Sequence, residues 1–109
     1  MEECIFCKIR DKKIPADFEY ESGHVMAFPD ISPSADVHIL IVPKEHILTF
    51  TDLNENHIQI VGEMIRVAHK LVNDKNVGDG YRIVFNGGKF QHVKHLHMHL
   101  LGGELKKQI

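Results

Sequence analysis

Four of the nine histidines in this 109-residue chain fall between His92 and His99, and three of them alternate with apolar residues in His95-Leu96-His97-Met98-His99-Leu100. In an extended strand, side chains two positions apart share a face. His95, His97 and His99 would therefore line one surface, with Leu96, Met98 and Leu100 on the other. The apolar face can pack against a helix. The imidazole face must look onto a cleft, water or a metal, because three imidazoles cannot all be satisfied in a dry core. Partly exposed strand histidines are one explanation, although strand exteriors favour β-branched residues. A metal centre built from all three is a second, since imidazole binds zinc, copper, iron and nickel; the nearby loops, however, supply no Asp or Glu to complete it. The third is phosphoryl chemistry. A neutral imidazole is a competent nucleophile, and a protonated neighbour can neutralise phosphate oxygens or protonate a leaving group. Unperturbed histidine titrates near ~6.5, so this chemistry predicts a rate that falls as the pH drops through that region.

Cys4-Ile5-Phe6-Cys7 has the spacing that lets two thiolates reach one metal ion, but a single pair supplies only half of a tetrahedral zinc site. A redox pair and two inert cysteines are the alternatives, and the strand expected before a redox pair is missing.

The elements that must hold these residues can be read from pattern. Cys4 to Arg10 fits a short helix, ended by Asp11-Lys12-Lys13 and Pro15. Phe18 to Glu21 and His24 to Phe28 fit two short strands around Ser22-Gly23. Pro29 to Pro33 is a loop by its prolines. Val37 to Val42 is an apolar, β-branched run closed by Pro43, as in a strand buried on both faces. Ile58, Val61, Ile65, Ala68 and Val72 form a stripe at helical spacing, capped by Asp52 with Glu55 or by Asn54. Tyr81 to Phe85 is a fourth strand, Asn86-Gly87-Gly88 a turn, and Val93 to Leu101 a fifth strand. The expected architecture is α+β: an antiparallel sheet of about five strands with one long helix and a short N-terminal helix.

Composition sets the limits. The length suits one domain over residues 1–109, and 43% hydrophobic with 26% charged residues is ordinary for a chain with a core. A formal charge of −2 offers no basic field for nucleic acid and no polybasic membrane patch. No run approaches a membrane span, and the acidic Met1-Glu2-Glu3 start does not read as a secretion signal. The expected location is cytoplasmic, where the cysteines would be reduced or metal-bound.

His95-Leu96-His97-Met98-His99-Leu100-Leu101 resembles the defining motif of the histidine triad hydrolases, His-φ-His-φ-His-φ-φ with φ apolar. Further landmarks are similar and in the same order. They are Lys8-Ile9 with Ile14-Pro15-Ala16, Ala27-Phe28 with Asp30-Ile31-Ser32-Pro33, His38 to Lys44 with His46, Gly80-Tyr81-Arg82, Asn86 and Gln91. Leu101-Gly102-Gly103 resembles the purine nucleotide-binding branch. The resemblance implies that His97 attacks the α-phosphorus and carries the nucleotidyl group, that His99 polarises the phosphate oxygens, and that His38 supports the pair. It implies that Asp30 binds ribose, that Ile31 lies against the base, and that Asn86 and Gln91 hold the phosphate and leaving group. Zinc-containing members of the superfamily imply a structural zinc at Cys4, Cys7, His46 and His95, with no metal needed for the chemical step. A symmetric homodimer is implied as well, for which the edge at Tyr81 to Phe85 is suited.

Several features depart from that pattern. The loop from Asn86 to His95 is shorter than usual, and Phe90 stands where glycine commonly precedes the glutamine. His92 stands where a serine or threonine hydroxyl usually contacts phosphate or leaving group, a hydrogen bond that imidazole can also donate. The tail Glu104 to Ile109 lacks a tryptophan-bearing end. The resemblance thus implies a hydrolase or transferase acting on purine nucleoside monophosphate esters and phosphoramidates. A non-catalytic histidine-rich metal-binding protein and a nucleotide-binding regulatory module are the alternatives.

Overall fold

The β-branched run Val37 to Val42 lies at the centre of a five-stranded antiparallel sheet in the computed structural model, which describes residues 4–107. Met1 to Glu3 and the last two tail residues, Gln108 and Ile109, lie outside the described residues. The strands are β1 (Tyr20–Glu21), β2 (Val25–Pro29), β3 (Ala35–Pro43), β4 (Tyr81–Phe85) and β5 (Met98–Leu105), in the spatial order β1-β2-β3-β5-β4. A short helix, α1 (Ile5–Arg10), precedes them, and the long helix α2 (Ile58–Asp74) connects β3 to β4. The α+β class and the strand number are those expected from the sequence.

The strand pleat sorts side chains onto two faces. Val25 and Ala27 of β2, Ile39 and Ile41 of β3, and Met98 and Leu100 of β5 pack with Met64, Val67, Ala68 and Leu71 of α2. Met26, Phe28, Leu40 and Val42 pack with Phe6 and Ile9 of α1 on the other side. Both faces of β2 and β3 are therefore covered. That is why these strands read as continuous apolar runs rather than alternating ones.

Two expected features shift. The α2 stripe is rotated from its expected phase: Met64, Val67, Ala68 and Leu71 are buried, whereas Ile58 is 66% and Ile65 57% exposed. The helix carries apolar residues over a wide arc, so two stripes at helical spacing were available, and the sheet takes the one built around Met64. Entry into α2 is set by Asn54, whose Oδ1 accepts the Asn56 N–H at 2.8 Å while its own N–H donates to His57 Nδ1 at 3.1 Å.

The fifth strand begins at Met98 instead of Val93 and runs on to Leu105. Its ladder starts where Met98 meets Ile41 on one side and Phe85 on the other, the last pair that β4 can supply. Ahead of it, Leu96 donates its N–H to Ile47 O at 2.7 Å, a loop carbonyl outside the sheet. The histidine motif thus straddles the strand's entrance: His95 and His97 precede it and His99 lies within it. Farther along, a Cβ at Gly102 would lie 2.7 Å from the Val77 side chain, so glycine here permits the close approach of the loop after α2.

Candidate active site

β3 and β5 are neighbours in register, with Leu40 opposite His99 and His38 opposite Leu101. His38 and His99 are therefore diagonal cross-strand neighbours on one face, within reach of each other's rings. Their contact orders the protons. The Ser34 N–H donates to His38 Nδ1 at 2.9 Å, which leaves the His38 proton on Nε2. That N–H faces His99 Nδ1 at 2.9 Å, so the remaining His99 nitrogen, Nε2, carries a proton as a donor. Asp30 Oδ2 lies 3.6 Å from His38 Nε2, while Oδ1 accepts the Ser32 N–H at 2.8 Å and fixes the loop after β2.

His97 is oriented separately. Its Nδ1 lies 2.8 Å from the His95 carbonyl and must be the protonated nitrogen, because a carbonyl can only accept. Its Nε2 therefore keeps a free lone pair. The ring sits edge-on to Phe6 at 5.1 Å between centroids and 4.8 Å from the His99 ring. Burial pushes the basicity of His38 and His97 down, and that of His99 down to about 4, with the Asp30 charge opposing all three shifts. These imidazoles are accordingly neutral near pH 7. The protonated neighbour considered from sequence gives way to neutral N–H donors with one bare nucleophilic nitrogen. The neutral form of His97 also persists to lower pH than that of a free imidazole.

His38, His97 and His99 open onto a cavity of about 1290 Å³ whose wall also includes Asp30, Ile31, Asn86 and His92. Ile31 stands at the rim, 97% exposed. Gln91 differs from expectation. Its side-chain amide donates to Leu48 O at 2.8 Å and Val93 O at 2.9 Å, so it anchors the loop from within rather than facing the cavity. Two contributors went unnoticed in the sequence. Phe6 touches the His97 ring, and its position between the two cysteines was the available signal. The Ser34 backbone sets the tautomer chain, and only the short spacing to His38 hinted at it.

His95 turns to a different partner set. Cys4 Sγ lies 3.2 Å and Cys7 Sγ 3.7 Å from its Nδ1, and Cys7 Sγ lies 3.3 Å from His46 Nδ1. The four ligand atoms lie within 4.8 Å of one another. A tetrahedral zinc with ordinary Zn–S and Zn–N bonds separates sulfur from nitrogen by about 3.6 Å, so the cluster has the right size. The donor chemistry fits too. His95 Nε2 donates to Pro43 O at 2.8 Å, leaving Nδ1 bare toward the thiols, the arrangement usual for a metal-bound imidazole. A second cluster joins Asp30, His38 and His99, and neither contains His97. His95 and His99 thus fall in different clusters, and a single ion held by His95, His97 and His99 does not match this arrangement.

Residues 3–109 match the family described as scavenger mRNA decapping enzyme, C-terminal binding. A purine nucleoside phosphoramidase from Escherichia coli K12 is 47% identical over 105 residues, covering 94% of this chain and 88% of that protein. A HIT family hydrolase from Clostridium thermocellum superposes with a TM-score of 0.90 at 43% identity, covering 94% of this chain and 92% of that one. The chain belongs to the histidine triad superfamily. It is an enzyme of this hydrolase kind, with the superfamily's motif at His95, His97 and His99. A 14 kDa zinc-binding protein from Zea mays is also 44% identical to this histidine triad chain, over 91% of this chain and 80% of that protein.

Proposed function

We propose that this chain hydrolyses purine nucleoside monophosphate amides and esters through a nucleotidyl intermediate on His97. The observation that carries the reading is the fixed tautomer of His97, which leaves Nε2 unprotonated in the cavity shared with Asp30, Asn86 and His99. The likeness to the purine nucleoside phosphoramidase supports the substrate class.

In the first displacement Nε2 attacks the α-phosphorus in line with the P–N or P–O bond that breaks. The departing amine or alcohol takes up a proton from solvent, with the His92 imidazole on the cavity wall as a hydrogen-bond donor to it. In the second, water attacks phosphorus, the N–P bond breaks with its electron pair returning to Nε2, and the water's proton passes to solvent as the monophosphate leaves. Two displacements of moderate height replace one difficult one. The residues contribute mainly alignment and hydrogen bonds, which is what phosphoryl transfer needs. The His99 Nε2–H faces the phosphate oxygens, held there by His38 and, through it, by the Ser34 N–H. Asn86 supplies a further amide donor, Asp30 Oδ2 accepts from the ribose hydroxyls, and the purine lies against Ile31 and its apolar neighbours.

Zinc at Cys4, Cys7, His46 and His95 belongs to the same proposal. Bound there, the ion supplies a structural cross-link between α1 and the segment leading into β5, and the chemical step does not use it. Residues 1–109 act as one domain, paired as a symmetric homodimer. A cytoplasmic setting keeps the thiols reduced.

The test of the central step is rapid quenching of the enzyme with an adenosine phosphoramidate, followed by mass spectrometry of the peptide containing His97. A mass increase of one adenylyl group on that histidine is expected, and it should be lost in His97→Ala together with turnover. His97→Ala with near-normal turnover would overturn the mechanism.

A further inference from the structure

Phe90 has no packing role that accounts for it. Its side chain is 66% exposed and belongs to neither apolar cluster, yet it forms part of the wall of the cavity that contains His97 and His99. A phenylalanine ring on the wall of a reactive cavity offers an apolar surface to whatever the cavity binds.

The local backbone shows how the ring is presented. Phe90 ends a single 3-10 turn, Gly88–Phe90, closed by Phe90 N–H to Gly87 O at 3.2 Å and Gln91 N–H to Gly88 O at 3.1 Å. Gly88 takes a φ of +59°, a conformation that suits glycine. Gln91 then follows in extended conformation, 4% exposed, with its amide tied to Leu48 O and Val93 O. Gln91 points inward, while its neighbours Phe90 and His92 both line the cavity. His92 and His97 line the same cavity, so this wall adjoins the nucleophile.

The wall made by Asn86, Phe90 and His92 is separate in sequence from the Asp30–Ile31 side assigned above to the nucleoside. With the Asp30–Ile31 loop assigned to the nucleoside, the loop carrying Phe90 is the part of the cavity wall left for the leaving group. The Lys89 ammonium, 5.6 Å from the Phe90 ring centroid, adds positive charge beside the ring. That charge disfavours a leaving group carrying a cation of its own.

We propose that Phe90 is a specificity-determining residue that stacks on a neutral aromatic ring carried by the leaving amine, so that arylalkyl phosphoramidates are the favoured substrates. The proposal rests on the phosphoramidase reading above and adds the leaving-group class to it. The ring adds no chemistry. It gives the leaving group a desolvated platform whose offset or edge-on contact outlasts the first displacement, while His92 beside it reaches the amine nitrogen.

Three adenosine phosphoramidates, made with 2-phenylethylamine, 2-cyclohexylethylamine and methylamine, test this by their kcat/KM values. The wild-type enzyme should favour the phenylethyl compound over both others by roughly three- to tenfold, the range expected of one aromatic pair. Phe90→Gly should bring the ratios to about one while the methylamide keeps its rate to within about twofold. Phe90→Leu should treat phenylethyl and cyclohexylethyl alike, since it keeps an apolar surface but no ring. A phenylethyl preference that survives Phe90→Gly overturns the inference. So does an equal fall on all three amides, which would assign Phe90 to loop structure alone. A wild-type enzyme that turns over all three at one rate defeats the inference and leaves the phosphoramidase reading standing; one that turns over none defeats that reading itself.

Discussion

At the scale of single residues, burial decides what the histidines do and attaches a cost to it. The His99 ring is only 7% exposed and its pKa is pushed from 6.5 to about 4, while His38, packed against it, is also lowered by burial. Between about 4 and 6.5 the unfolded chain binds a proton that the folded His99 imidazole refuses. The resulting contribution to stability is complete above the unfolded value and is lost as the pH falls toward the folded one. The thermal midpoint should therefore decline from about pH 7 to about pH 4.5, and His99→Asn should make that decline shallower. A midpoint independent of pH over that interval would contradict the neutral pair. Catalysis reads the same residue differently. His99→Ala removes the N–H donor, so kcat should fall by roughly 10²–10⁴ with KM little changed, measured on any phosphoramidate that wild type accepts. Much at this scale was legible, because alternation in His95 to Leu100 separates imidazoles from apolar residues whatever the exact strand limits. The inward turn of Gln91 was not. Whether a loop glutamine faces a ligand or its own backbone depends on carbonyls as distant as Leu48 O, 43 positions away in the chain.

At the scale of elements, the informative patterns were those with one physical solution. The apolar run of β3 had to be buried on both faces, and it is. The α2 pattern had two solutions, and only the sheet chooses between stripes around Ile65 and Met64. The start of β5 depends on where β4 ends, a long-range fact with no local signature. α1 has just six residues, too few to persist alone, and its position rests on Phe6 and Ile9 in the apolar cluster and on the cysteine–histidine cluster. Zinc bound there joins α1 to the residues on either side of it in space: His46 after β3 and His95 before β5. The His95 carbonyl also fixes the His97 tautomer, so the cysteine–histidine cluster and the orientation of His97 depend on one residue. The purified protein should hold about one zinc per chain. Cys7→Ser should lower stability by at least about 2 kcal/mol, a fall of roughly 8–16 °C in the thermal midpoint, with zinc content reduced in parallel. Protein that is metal-free, fully folded and no less stable than its zinc-loaded form would remove the cross-link from this account.

At the scale of the whole molecule, the sheet ends among the described residues in the two-residue β1 on one edge and the longer β4 on the other. β4 pairs with β5 on one side and with no strand on the other among the described residues. Tyr81 and Ile83 on this edge are 51% and 46% exposed, and Ile58 and Ile65 are exposed on the unburied side of α2. Exposed apolar residues taken singly mean little, but an unpaired strand bearing two of them is a template for another strand. Natural edges that must remain single are usually blunted by charge, proline or bulges. β4 carries only Arg82 as a charge, and it has no proline and no register shift against β5. A second copy of the same chain satisfies such an edge by two-fold symmetry, with β4 running antiparallel to its mate and the sheet continuing across the pair. A formal charge of −2 per chain imposes little repulsion on that approach. Light scattering at micromolar concentration should therefore give twice the 12.5 kDa chain mass. Ile83→Lys places a charge on the shared edge and should yield monomer with an unchanged circular dichroism spectrum. Wild-type protein that is monomeric under those conditions defeats the pairing altogether. A dimer that persists in Ile83→Lys moves the interface away from β4, toward the exposed side of α2, where Ile65→Lys would then be the disruptive change.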